Sequence, residues 1–75
     1  MGKVETRQLI ANRCRAKLAE RRIKLNSVAQ ILGVSDATIY LKMSGGSDLT
    51  VNELFMIASS CNFTREDVNF IIFGS

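Results

Sequence analysis

Asp36, Ala37, Tyr40, Leu41 and Ser44 recur at i, i+1, i+4, i+5 and i+8, a spacing that gathers them on one side of a helix. Ile39 and Met43, four apart, fall on the opposite side and are expected in the core. The first group combines an acceptor, a small residue and two large side chains, a mixture suited to base-pair edges. A helix fits the DNA major groove, where an Asp36 carboxylate can accept from cytosine N4 and Leu41 or Tyr40 can meet a thymine methyl or sugar edge. Ala37 is small enough for close approach to the bases. Each residue also has a plainer role. Asp36 at a helix start favours the helix dipole by about 0.3–1 kcal/mol, and Tyr40 and Leu41 can instead cover the edge of the core. An unpaired carboxylate repels phosphates, so its place on such a face is informative.

Phosphate contacts to such a duplex are expected from the surrounding frame: Asn26 and Ser27 at the start of the preceding helix, then Thr38, Lys42, Ser44 and Ser47. Helix N-termini and short polar side chains are common phosphate ligands. Arg22 and Lys24, just before that helix, add charge.

The elements that must hold this face are legible around it. Val28, Ala29, Ile31 and Leu32 form one apolar segment, closed by Gly33, and Ser35 opens the next as an N-cap. A Gly past a helix end takes the left-handed conformation without strain, and a Ser hydroxyl accepts a first-turn N–H. Two helices joined by so short a turn read as a helix-turn-helix. The spacing predicts helices over residues 5–22, 26–32, 36–44, 51–61 and 65–73, with Asn26 or Ser27 capping the second. Ile10, Cys14 and Leu18 give the first its stripe, and Ile23 plugs its end. Thr50 with Glu53, and Thr64 with Asp67, form capping boxes, flanked by the staples Leu49–Leu54 and Phe63–Val68. No strand pattern appears. The expected fold is all-α, five helices in a single domain over 1–75.

Seventy-five residues without proline, 47% of them hydrophobic, suit one small helical domain. The net charge of +3 is unevenly placed. Residues 1–35 hold eight of the ten Lys and Arg against two Glu, a balance of +6; residues 36–75 carry −3. A basic half suits a polyanionic partner, although a solvated helix face explains it as well. With no His, and Cys14 and Cys61 far apart, zinc sites and the usual acid–base triads lack their groups. Both cysteines lie on apolar stripes and read as buried reduced thiols, as in a reducing cytoplasm. Neither an enzyme nor a cofactor is expected. The Met1-Gly2…Thr6 acylation pattern and the Asn62-Phe63-Thr64 sequon read as chance matches, and Phe70–Phe73 is too short to span a bilayer. The chain reads as soluble and cytoplasmic.

Residues 14–72 resemble the lambda-repressor/Cro-type helix-turn-helix family, most specifically in VAQILGVS at 28–35. The run KMSGGSDLTVNELFMIA at 42–58 is similar to Cro-like regulators encoded by bacteriophages and prophages. The resemblance implies a five-helix DNA-binding domain, a transcriptional regulator that usually acts as a homodimer on a two-fold operator. By position, Asp36 stands where many members carry a base-reading Gln. Ala37 and Leu41 match further groove-facing positions, and Ser44 a phosphate-contacting one. Lys24-Leu25 replaces a frequent Thr-Gln, and Lys42 replaces a frequent apolar residue whose core role passes to Met43. The expected function is a sequence-specific DNA-binding repressor. The alternative is a protein-binding module, an antirepressor or adaptor, using Tyr40, Leu41 and the aromatic tail. Phe55, Phe70 and Phe73 are surplus apolar residues, available either to a dimer interface or to the monomer's own core.

Overall fold

The structure, a computed structural model, describes the backbone of residues 3–74 and the side chains of residues 8–74. The Met1-Gly2 acylation pattern falls outside the described residues. Among them are five helices and no strand: α1 (Lys3–Glu20), α2 (Leu25–Leu32), α3 (Asp36–Met43), α4 (Val51–Ser60) and α5 (Arg65–Phe73). Packing joins α1 to α5 and α3, and α2 to α3 and α4. The α2–α3 pair is thereby held between α1 and α4.

Three helices start where their caps are written. Ser35 Oγ accepts the Thr38 N–H at 3.2 Å. Thr50 and Thr64 both close full capping boxes, with Glu53 and Asp67 returning the bond to the cap's own N–H. Each such cap contributes about 1 kcal/mol. The second helix departs from expectation. It begins at Leu25, its N-cap is Lys24, and no side chain caps it, so Asn26 and Ser27 lie inside its first turn. Leu25 packs against the core, and this draws the helix start one residue earlier.

Three of the helix ends share one device. Arg22, Gly33 and Asn62 all take positive φ, at 57°, 71° and 57°. The residue after each donates its N–H back to a carbonyl five residues earlier: Ile23 to Leu18, Val34 to Ala29, Phe63 to Ala58. This is the Schellman closure, with an apolar residue following the left-handed one. Ile23, Val34 and Phe63 all pack on the core, so each helix end becomes an apolar plug. The first helix therefore ends at Glu20 rather than 22, and it starts at Lys3 rather than 5, its length unchanged. The fourth ends at Ser60 rather than 61, and the third at Met43, with Ser44 as C-cap.

Every helix supplies the core. Cys14 and Leu18 come from α1, Val28 and Ala29 from α2, Ile39 and Met43 from α3, Leu54 and Ile57 from α4, and Ile71 from α5. Burying a side chain such as Leu18 or Ile57 contributes roughly 1.5–3 kcal/mol. Both cysteines are free and buried, as their stripes predict. Burial pushes the Cys14 thiol up to about 12, with the nearby Cys61 adding to the shift.

Candidate nucleic-acid interface

The turn between α2 and α3 is three residues long, Gly33 to Ser35. Gly33 sits at φ 71°, ψ 32°, the left-handed conformation open to a residue without Cβ. Its N–H and that of Val34 return to α2 carbonyls. Ser35 then turns the chain into α3. Its hydroxyl also donates to Thr38 Oγ1 at 2.9 Å, fixing the first turn of α3 twice.

The apolar packing of α3 decides which side it presents. Ile39 and Met43 are fully buried, while Asp36, Ala37, Tyr40, Leu41 and Ser44 are all exposed. Tyr40 keeps 60% and Leu41 52% of their accessible surface. The four residues expected to read bases therefore share one open face, and the two expected in the core are there. Leu41 also lies along the following loop: a Cβ on Gly46 would stand 2.6 Å from Leu41 Cδ1. Gly45 beside it is buried at φ 84°, with Gln8 of α1 packed so closely that a Cβ would come 3.1 Å from its Cα.

The six residues expected at phosphates divide. Asn26 and Ser27 are exposed in the first turn of α2, beside the exposed Arg22 and Lys24. That helix start has no side-chain cap, and the Ser27 N–H turns back to the Lys24 carbonyl at 3.1 Å. Ser47 is half-buried. Ser44 is exposed, but its hydroxyl proton is donated to the Leu41 carbonyl at 3.0 Å. Thr38 is half-buried and engaged by Ser35.

Lys42, expected at a phosphate, has partners within the fold. Its ammonium lies 3.2 Å from Glu53 Oε1 and donates to the Asp48 carbonyl at 3.0 Å, so it is drawn back against α4 rather than held out for a phosphate. The cause is long-range charge pairing, which helical periodicity does not report. Burial raises the Glu53 carboxyl, but the Thr50 N–H and the Lys42 ammonium outweigh it and hold the group below its usual range.

Two further cations of the basic half are also engaged internally. Arg21 and Lys17 both meet Asp67, the latter at 3.4 Å, and lie over the rings of Phe63 and Phe70 at 4.9 Å. Asp67 is held below the usual carboxylate range by the Thr64 N–H first, then by Arg21 and Lys17, against an upward pull from burial. Arg22 and Lys24 are the exposed cations flanking the start of α2, while Arg15 and Arg65 are exposed elsewhere on the surface.

The aromatic candidates also divide. Phe55 and Phe73 are exposed, at 61% and 74%, whereas Phe70 is half-buried beneath Lys17. Val51, 70% exposed, and Met56 were not singled out by sequence reasoning. The i, i+4 pairing of Val51 with Phe55, outside the Leu54–Ile57 stripe, was the available signal. Among the described residues no group of three or more His, Cys, Asp or Glu is placed to hold a metal, and no helix is long and apolar enough to cross a membrane. The chain matches no protein-family model, no curated protein and no solved structure.

Proposed function

We propose that the protein is a sequence-specific DNA-binding regulator whose α3 enters the major groove, a lambda-repressor-like helix-turn-helix acting as a cytoplasmic homodimer on operator DNA. The division of α3 into a buried pair, Ile39 and Met43, and an open face of Asp36, Ala37, Tyr40 and Leu41 carries this reading. Two large side chains side by side on an exposed helix want a partner, and thymine methyls in a groove supply one. The uncapped start of α2, with Arg22, Lys24, Asn26 and Ser27 around it, supports backbone anchoring beside that helix. Two recognition helices related by a two-fold axis match half-sites roughly 34 Å apart. The exposed Phe55 and Phe73 are the surfaces proposed for pairing, while the half-buried Phe70 serves the monomer.

A second reading has its own observation. Asp36 and the exposed Tyr40–Leu41 pair also suit a protein surface, so the same face can serve an adaptor or antirepressor. Binding to the intergenic DNA upstream of the protein's own locus, measured across a salt series against random DNA, separates the two. A DNA reader prefers its own upstream sequence and loses affinity steeply as salt rises. Equal, weak binding to both DNAs rejects the first reading in favour of the second.

A further inference from the structure

Two charged residues lie on α3, and they are treated oppositely. Asp36 is open, whereas the Lys42 side chain keeps only 12% of its accessible surface. Its ammonium lies 3.2 Å from Glu53 Oε1 and donates to the Asp48 carbonyl at 3.0 Å. The same Glu53 oxygen accepts the Thr50 N–H at 3.0 Å. One ammonium therefore ties together the last turn of α3, the loop that follows and the start of α4.

What such a tie can do follows from what the core cannot. Ile39 and Met43 hold α3 down by burial, which is non-directional. Rotation of the helix about its own axis alters which atoms of Tyr40 and Leu41 face outward and is weakly opposed by apolar packing alone. Charge-assisted hydrogen bonds are directional and short. A partly exposed pair adds little net stability, so its consequence lies in geometry. Lys42 directly follows Leu41 in the chain, and Leu41 in turn lies against the loop at Gly46.

We infer that Lys42 is a positioning residue for base reading: through Glu53 and the Asp48 carbonyl it fixes the rotation of α3, and with it the pose of Tyr40 and Leu41 in the groove. This rests on the DNA-binding reading and assigns Lys42 a role other than phosphate contact.

Three variants test it. Lys42→Met keeps the aliphatic stem and removes the charge. Glu53→Gln removes the counter-charge yet keeps an acceptor for the Thr50 N–H, since Gln also completes a capping box. The double variant removes both partners. Each is checked for native helicity, and its affinity for the upstream DNA and for random DNA is measured over a salt series. Each single change is expected to lower the ratio of the two affinities roughly tenfold, the scale of one misplaced base contact. The salt dependence stays as in the parent, and the double variant is no worse than either single one.

A Lys42→Met protein that weakens on both DNAs alike, with a salt slope smaller by about one, makes Lys42 a phosphate ligand and overturns the proposal. An unchanged ratio in Glu53→Gln overturns it too, and this variant decides alone if Lys42→Met does not fold. Removing a carboxylate should by simple electrostatics tighten binding to every DNA, so selective loss in Glu53→Gln has no charge explanation. A parent protein without preference for its own DNA fails the functional reading itself, a result distinct from loss confined to the variants.

Discussion

Arg21, just past the end of α1, meets Asp67 at the start of α5, so one ion pair joins the first and last helices of the chain. Asp67 is the buried charged residue among those described, and the same carboxylate closes the capping box of α5 by accepting the Thr64 N–H at 2.9 Å. Helix start and helix packing are therefore coupled through a single side chain.

This coupling makes the fold sensitive to acid. The folded pKa of Asp67 is depressed, chiefly by the Thr64 N–H and then by Arg21 and Lys17, and Glu53 is depressed as well. A depressed carboxylate contributes stability that is present above its unfolded value, about 3.9 for Asp and 4.3 for Glu. That stability is lost as pH falls through the folded value. Thermal unfolding of the parent should therefore shift downward below about pH 4, the unfolded carboxylate range. Asp67→Asn keeps an acceptor for Thr64 but removes the charge facing Arg21. Its melting temperature is expected to be lower at neutral pH and less dependent on acid. An acid limb as steep as the parent's would place the titration elsewhere.

Asp36 separates base reading from a merely local role. If its carboxylate accepts from a cytosine, Asp36→Ala relaxes the preference at one operator position, by about 1–3 kcal/mol for that base pair. Binding to a panel of single-base operator variants measures this. Uniform tightening on every sequence shows instead that the carboxylate only repels phosphate.

How much of this was legible beforehand depended on where the signal lay. The bounds of α5 were readable at both ends because Thr64, Asp67 and Gly74 mark them locally. The face of α3 was readable because four- and five-residue spacings survive any detail of packing. The end of α1 was not: Arg22 takes a left-handed conformation that its residue type does not announce, whereas Asn62 in the same role is a recognised substitute for Gly. The start of α2 was misplaced because polar residues were given the cap that Leu25, by packing inward, leaves to Lys24. The pairing of Lys42 with Glu53 was not legible, because the partner lies on another helix. Local chemistry is written in the sequence; pairing across elements is not.

The left-handed Arg22 yields a prediction with opposite signs. A side chain at positive φ is strained by roughly 1–2 kcal/mol, which glycine avoids at some cost in unfolded-state entropy. Arg22→Gly is therefore expected to leave the fold as stable or to gain up to about 1 kcal/mol by chemical denaturation. The same change removes an exposed cation beside the uncapped start of α2. Affinity should fall to a similar degree on operator and random DNA, and the salt slope should shrink by about one. A drop confined to the operator would place Arg22 at a base edge rather than at the backbone.

Gly46 offers the reverse separation, with specificity altered while stability holds. A Cβ there would come 2.6 Å from Leu41 Cδ1, which is the free end of a flexible and half-exposed side chain. The clash is relieved by turning Leu41, at about 0.5–1.5 kcal/mol if it leaves a staggered rotamer. Gly46 does not carry a positive φ, so alanine is tolerated and recovers about 0.4–1 kcal/mol from the unfolded chain. The two nearly cancel, and the melting temperature of Gly46→Ala should stay close to that of the parent. Leu41 is then lifted away from the loop, on the face proposed to meet the groove. Selection of preferred sites from a random DNA pool should show a changed preference where Leu41 reaches, with the remaining positions intact. Unchanged site preference in a well-folded Gly46→Ala protein would remove Leu41 from the reading face and leave Asp36, Ala37 and Tyr40 to carry it.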